Sequence, residues 1–61
     1  MKNIRCLIVD DEPTARDILK LHLEKIEGIE IVDSCKNALA AIDVLNTHTV
    51  DLIFLDINMP D

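Results

Sequence analysis

Sixty-one residues with twelve acids against six bases, a net charge of −6, make a small acidic chain that repels nucleic-acid phosphates and attracts cations. A chain this short buries only about 60% of its unfolded surface, which leaves little room for a large self-sufficient core, and with Phe54 the sole aromatic residue that core is aliphatic. No apolar stretch reaches the roughly 18 to 20 residues of a membrane span, and the opening MKNIRCLIVDDE turns acidic where a signal peptide stays apolar, so the expectation is no membrane association and a cytoplasmic location.

The first predicted element is IRCLIV, residues 4–9, a β-branched apolar run stopped by three acids, as in a buried strand. Pro13 then opens an amphipathic helix in which Ala15, Ile18, Leu19, His22, Leu23 and Ile26 share one side and Arg16, Asp17, Lys20, Glu24 and Glu27 the other. Gly28, the only glycine, stands where a left-handed helix end is expected. IEIVDSC, residues 29–35, alternates like a second strand. Asn37 is placed to cap a second helix reaching Leu45, with Ala38, Ala41, Ile42 and Leu45 at helical spacing before NTHT breaks it. DLIFL, residues 51–55, is the third strand, and its four consecutive apolar residues predict burial on both faces in a parallel sheet. The order strand, helix, strand, helix, strand with right-handed crossovers predicts an α/β fold: a single βαβαβ unit, with no linker or repeat inside residues 1–61.

In such folds functional groups collect beyond the carboxyl ends of the strands, where strand order reverses. Strand one ends in Asp10, Asp11 and Glu12 and strand three in Asp56; in the order 2-1-3 these acids converge. Each has a bland role available, at a helix start or in a turn before Pro60. Brought together, however, like charges penalise one another unless a cation neutralises them. Hard oxygen ligands without a thiolate or a suitably spaced imidazole select Mg²⁺ or Mn²⁺ over zinc, and a carboxylate beside such an ion is a candidate nucleophile towards phosphorus, which points to Asp56 as phosphoryl acceptor. Cys6 and Cys35 lack metal or redox spacing and read as buried thiols, and neither His22 nor His48 has a ligand partner at metal spacing. Nucleotide-binding glycine loops and a G-x-S-x-G serine are absent from the sequence.

IRCLIVDDEPTAR and DLIFLDINMPD together resemble the amino-terminal half of a response-regulator receiver domain of bacterial two-component signalling, over all 61 residues. The resemblance implies a flavodoxin-like doubly wound sheet, cut before strand four, so the chain is expected to be a fragment of a longer receiver. It further implies Asp56 as phosphoacceptor, Asp11 as direct Mg²⁺ ligand, Asp10 holding the ion through water, Asn58 giving its backbone carbonyl, and Pro60 shaping the loop. The family's Ser or Thr after strand four and Lys after strand five have no counterpart here. A sensor histidine kinase is the implied partner, and the opening segment also resembles receivers with a LytTR-type DNA-binding output.

Two other classes compete. An aspartate-nucleophile phosphohydrolase of the haloacid dehalogenase type needs Asp-x-Asp, whereas Asn58 follows Asp56 at that spacing and cannot act as general acid or base. A non-catalytic self-associating module is the other, because a third strand without a fourth beside it leaves an apolar edge open to a second copy.

Overall fold

The computed structural model describes residues 3–56. The elements are β1 (Ile4–Val9), α1 (Pro13–Glu24), β2 (Ile29–Cys35), α2 (Ala38–Thr47) and β3 (Leu52–Leu55). They form one parallel sheet in the order β2-β1-β3, as the alternation of strands and helices predicts. Passing from β1 to β2 and then back across β1 to β3 with right-handed crossovers places the two helices on opposite faces.

The central strand carries the core. Cys6, Leu7, Ile8 and Val9 are all essentially inaccessible, and burial of an aliphatic side chain of this size contributes about 1.5–3 kcal/mol. Leu7 and Val9 pack with Cys35, Ala41 and Val44, and Val32, Ala40 and Val50 flank that cluster. A bulge decides this composition. Cys6 pairs with Ile31 but Leu7 pairs with Asp33, so Val32 is an extra residue in β2, and the slip of one position brings Cys35 opposite Val9 instead of Ser34.

Local signals account for the helix ends. The Asn37 side chain accepts a hydrogen bond from the Ala40 amide at 2.9 Å, the predicted cap of α2. That helix runs two residues beyond Leu45, where the Thr47 hydroxyl donates to the Asp43 carbonyl at 3.0 Å. Pro13 opens α1 as expected, but the helix ends at Glu24 with Lys25 as its right-handed cap. Gly28 does take a positive φ of 87°, in the turn that delivers the chain to β2 and not as the helix end.

The helix faces are rotated from their sequence expectation. In α1 the covered stripe is Ala15, Arg16, Leu19 and Leu23, while Ile18 and His22, placed on the apolar side by periodicity, are exposed. In α2 Ala41 and Val44 are buried, and Ile42 and Leu45 are exposed. The predicted burial of β3 on both faces is also corrected: Leu52, Ile53 and Leu55 are 42%, 42% and 54% exposed. The cause is that α1 and α2 pack on β1 and β2, and among the described residues only β1 packs against β3.

At the amino edge of the sheet Arg5 ties the three strands together. Its guanidinium meets Glu30 at 2.8 Å and the Thr49 carbonyl at 2.7 Å, and its backbone amide donates to the Asp51 carboxylate at 2.9 Å. Exposed pairs of this kind add about 0.2–1 kcal/mol each, so Arg5 sets register more than it supplies stability.

Candidate metal centre

The carboxyl edge of the sheet is where the acids meet. Val9 is level with both Cys35 and Leu55, so the residues that follow leave the sheet side by side. Backbone bonds continue the ladder one step further: the Asp10 amide donates to the Cys35 carbonyl at 3.0 Å and the Asp56 amide to the Val9 carbonyl at 3.1 Å. The side chains of Asp10, Asp11 and Asp56 each offer a carboxylate oxygen, all within 4.8 Å of one another. Asp10 and Asp56 are half-buried and Asp11 is exposed. Asn58 and Pro60, the other site residues expected from sequence, lie outside the described residues.

Glu12 plays a different part from its neighbours. It occupies the N-cap of α1 with extended backbone, but its side chain makes no capping bond. Its amide instead donates to Asp10 Oδ1 at 2.9 Å, which holds that carboxylate against the loop. The cluster is an open edge. The depression of about 380 Å³ lined by Lys20, Glu24, Ile29, Ile31, Val32, Asp33 and Ser34 includes none of the three clustered carboxylates.

Three hard oxygen donors at this spacing suit a small divalent cation. A Mg–O distance of about 2.1 Å puts opposite ligand oxygens of an octahedron about 4.2 Å apart, so a spread of 4.8 Å needs adjustments of a few tenths of an ångström in side chains that are partly exposed. One oxygen from each of the three carboxylates would fill half of an octahedron, leaving positions that suit water or phosphoryl oxygens.

The cysteines do not join the site. Both are buried free thiols. Burial, and secondarily the Asp51 carboxylate, pushes the Cys6 thiol up; burial, then Asp33, does the same for Cys35, with Arg16 partly opposing. A raised folded-state value means that the unfolded chain loses these protons first, so stability is complete below the ordinary thiol value of 9.0 and declines as pH rises through and beyond it. The urea midpoint is therefore expected to be lower at pH 9.5 than at pH 7.5, and the loss to shrink when Cys35 is replaced by Ala.

Arg16 is the residue that periodicity misplaced. Assigned to the polar side of α1, it is half-buried, and its Nη1 donates to the Asp10 carbonyl at 2.6 Å. An arginine one turn into a helix whose preceding loop holds paired acids was the available signal.

The response regulator receiver domain family matches residues 6–61. Among curated relatives, the transcriptional regulatory protein BtsR of Salmonella typhimurium is 49% identical over 57 residues, covering 93% of this chain and 24% of that protein. The sensory transduction protein LytR of Staphylococcus haemolyticus is 43% identical over 58 residues, covering 95% of this chain and 23% of that protein. The chain thus spans about a quarter of the length of these relatives. Among solved structures, the RcsB response regulator of Salmonella typhimurium superposes with a TM-score of 0.90 at 28% identity, over 98% of this chain and 29% of that one. The isolated REC domain of RcsB from Salmonella enterica serovar Typhimurium, determined with the phosphomimetic BeF3⁻, gives 0.88 at 27% identity over 98% of this chain and 44% of that one. With the 2-1-3 sheet and the three clustered aspartates, the match shows that the chain belongs to the response regulator receiver domain family, whose fold is that of a phosphoacceptor and not of a free-standing enzyme.

Proposed function

We propose that Asp56 accepts a phosphoryl group, with Asp10, Asp11 and Asp56 holding Mg²⁺ and the Asn58 backbone carbonyl completing the protein's share of the ligands. The observation that carries this reading is the convergence of the three carboxylates from two strand ends on one open edge. Residues 1–61 are then the amino-terminal part of a receiver domain. A solved relative obtained with BeF3⁻, a phosphoryl mimic, supports the chemistry.

In the reaction an Asp56 carboxylate oxygen attacks the phosphorus of a phosphohistidine on a sensor kinase, or of a small phosphodonor. With phosphohistidine the new O–P bond forms as the N–P bond breaks, and the imidazole leaves with the electron pair and takes up a proton. With a small acyl-phosphate donor its own O–P bond breaks and a carboxylate leaves; an acyl phosphate remains on Asp56 in both cases. Bound Mg²⁺ supplies charge neutralisation, which screens the carboxylates from the incoming phosphoryl oxygens. Asp10, half-buried and fixed by the Glu12 amide, presents its charge without rearrangement. The names of relatives, a transcriptional regulator and a sensory transduction protein, support a role for the whole protein in signal-dependent transcription. No helix among the described residues is long and apolar enough to cross a membrane.

The test separates the two neighbouring acids. Asp11→Ala weakens Mg²⁺ binding by roughly tenfold or more in titration calorimetry, while Glu12→Ala, whose side chain makes no capping bond, changes it much less. Equal losses would reassign the site.

A further inference from the structure

We infer that Arg16 is a positioning residue for the carboxylate cluster: it clamps the Asp10 carbonyl and so fixes the loop that presents Asp10 and Asp11 to the cation. The inference rests on the proposed cation site and adds to it a residue that touches neither ion nor phosphoryl group.

Three bonds converge on Asp10. Its amide is held by the Cys35 carbonyl at the end of β2, its Oδ1 by the Glu12 amide, and its carbonyl by Arg16 Nη1 at 2.6 Å. The first is a bond between neutral groups; the other two are charge-assisted, one through the Asp10 carboxylate and one through the Arg16 guanidinium. The Arg16 bond is the shortest of the three and the one that holds the Asp10 backbone carbonyl. Arg16 is itself anchored, because its amide donates to the Glu12 carbonyl at 3.2 Å as part of the first turn of α1. The side chain thus bridges from the helix back to the strand end across six residues, closing a ring whose interior is Asp11 and Glu12. Since Asp11 is exposed, and among the described residues no hydrogen bond restrains its carboxylate, its position depends on the backbone on either side. Removing the clamp frees that backbone.

Charge and position predict opposite signs. A guanidinium beside a cation site repels the cation, so as a mere charge Arg16 would weaken binding and its loss would tighten it. As a clamp, its loss weakens binding. Lys retains the charge and a donating head group, and a single donor is all that the contact with Asp10 uses.

The experiment compares the wild-type chain with Arg16→Met and Arg16→Lys in two measurements. The first is amide hydrogen exchange at Asp11 and Glu12 without metal, read relative to the core amides of β1. The second is Mg²⁺ titration followed by amide chemical shifts. We expect Arg16→Met to accelerate exchange at Glu12 and to raise the Mg²⁺ dissociation constant roughly fivefold, the equivalent of one ordinary hydrogen bond, with Arg16→Lys recovering most of both. Unchanged exchange at Glu12, or tighter Mg²⁺ binding in Arg16→Met, would overturn the clamp. Mg²⁺ shifts that are absent from wild type, or that survive Asp11→Ala, would instead overturn the cation site, and the exchange data would still decide whether Arg16 orders the loop.

Discussion

Asp56→Asn removes phosphoryl labelling from a full-length protein carrying these residues, by roughly a hundredfold or more, and leaves the far-ultraviolet circular dichroism unchanged. The amide oxygen of Asn has no negative charge to direct at phosphorus and gives no stable acyl phosphate, so the loss is chemical and not structural. The fold is expected to tolerate the change because Asn has the shape of Asp and the backbone bond from this residue's amide to the Val9 carbonyl is kept. Replacing a carboxylate by an amide in a cluster of three also lowers their mutual repulsion, so thermal stability without metal rises or stays level. Labelling with a small phosphodonor, with hydroxylamine release as the mark of an acyl phosphate, provides the measurement. Undiminished labelling of the variant would move the acceptor elsewhere.

The second large effect concerns the 61-residue chain by itself, which we expect to run as a dimer in size-exclusion chromatography with light scattering. Leu52 lies on the sheet face of Cys6, and Ile53 and Leu55 on the face of Leu7 and Val9, so β3 exposes apolar side chains on both faces as well as an edge of backbone donors and acceptors. The helices add to the surplus: Ile18 and Leu21 on α1 and Ile42 and Leu45 on α2 are also exposed. A second copy answers all three deficits at once. Antiparallel pairing of β3 with its symmetry mate about a two-fold axis extends the sheet and sets each copy's helices beside the other's bare strand faces. Ile53→Lys, which puts a charge at the centre of that contact, is expected to raise the dissociation constant roughly tenfold or more. A wild-type monomer at high micromolar concentration would rule the pairing out.

What could be read in the sequence follows from how local each signal is. The strands, the Pro13 start, the Asn37 cap and the meeting of Asp10, Asp11 and Asp56 rest on short-range chemistry and on strand order, and the structure has them in those places. Helix faces were less legible. Ile18 and Ile42 fit the apolar stripe, yet the faces that pack carry Ala15 on α1 and Ala41 and Val44 on α2, all with shorter side chains than the isoleucines left exposed. Arg16 escaped for a related reason: its long stem lies along the covered face while its charge reaches a carbonyl, a contact invisible to a two-class reading of polar and apolar. The bulge at Val32 was harder to read: the alternation of IEIVDSC breaks at Ile31 and Val32, but only the pairing with β1 turns that break into a slip of register.

The way β3 is held has a consequence for when the site exists at all. Four residues long and, among the described residues, paired with β1 alone, it is the element expected to open locally at the lowest cost, and Asp56 travels with it. When the strand detaches, one carboxylate leaves the other two, and their repulsion favours that departure. A cation that binds the closed arrangement pulls the other way, by an amount that grows with its concentration above the dissociation constant. With the proposed cation site, the ion and the third strand would therefore be thermodynamically linked: the strand assembles the ligands, and the ligands, once neutralised, keep the strand docked.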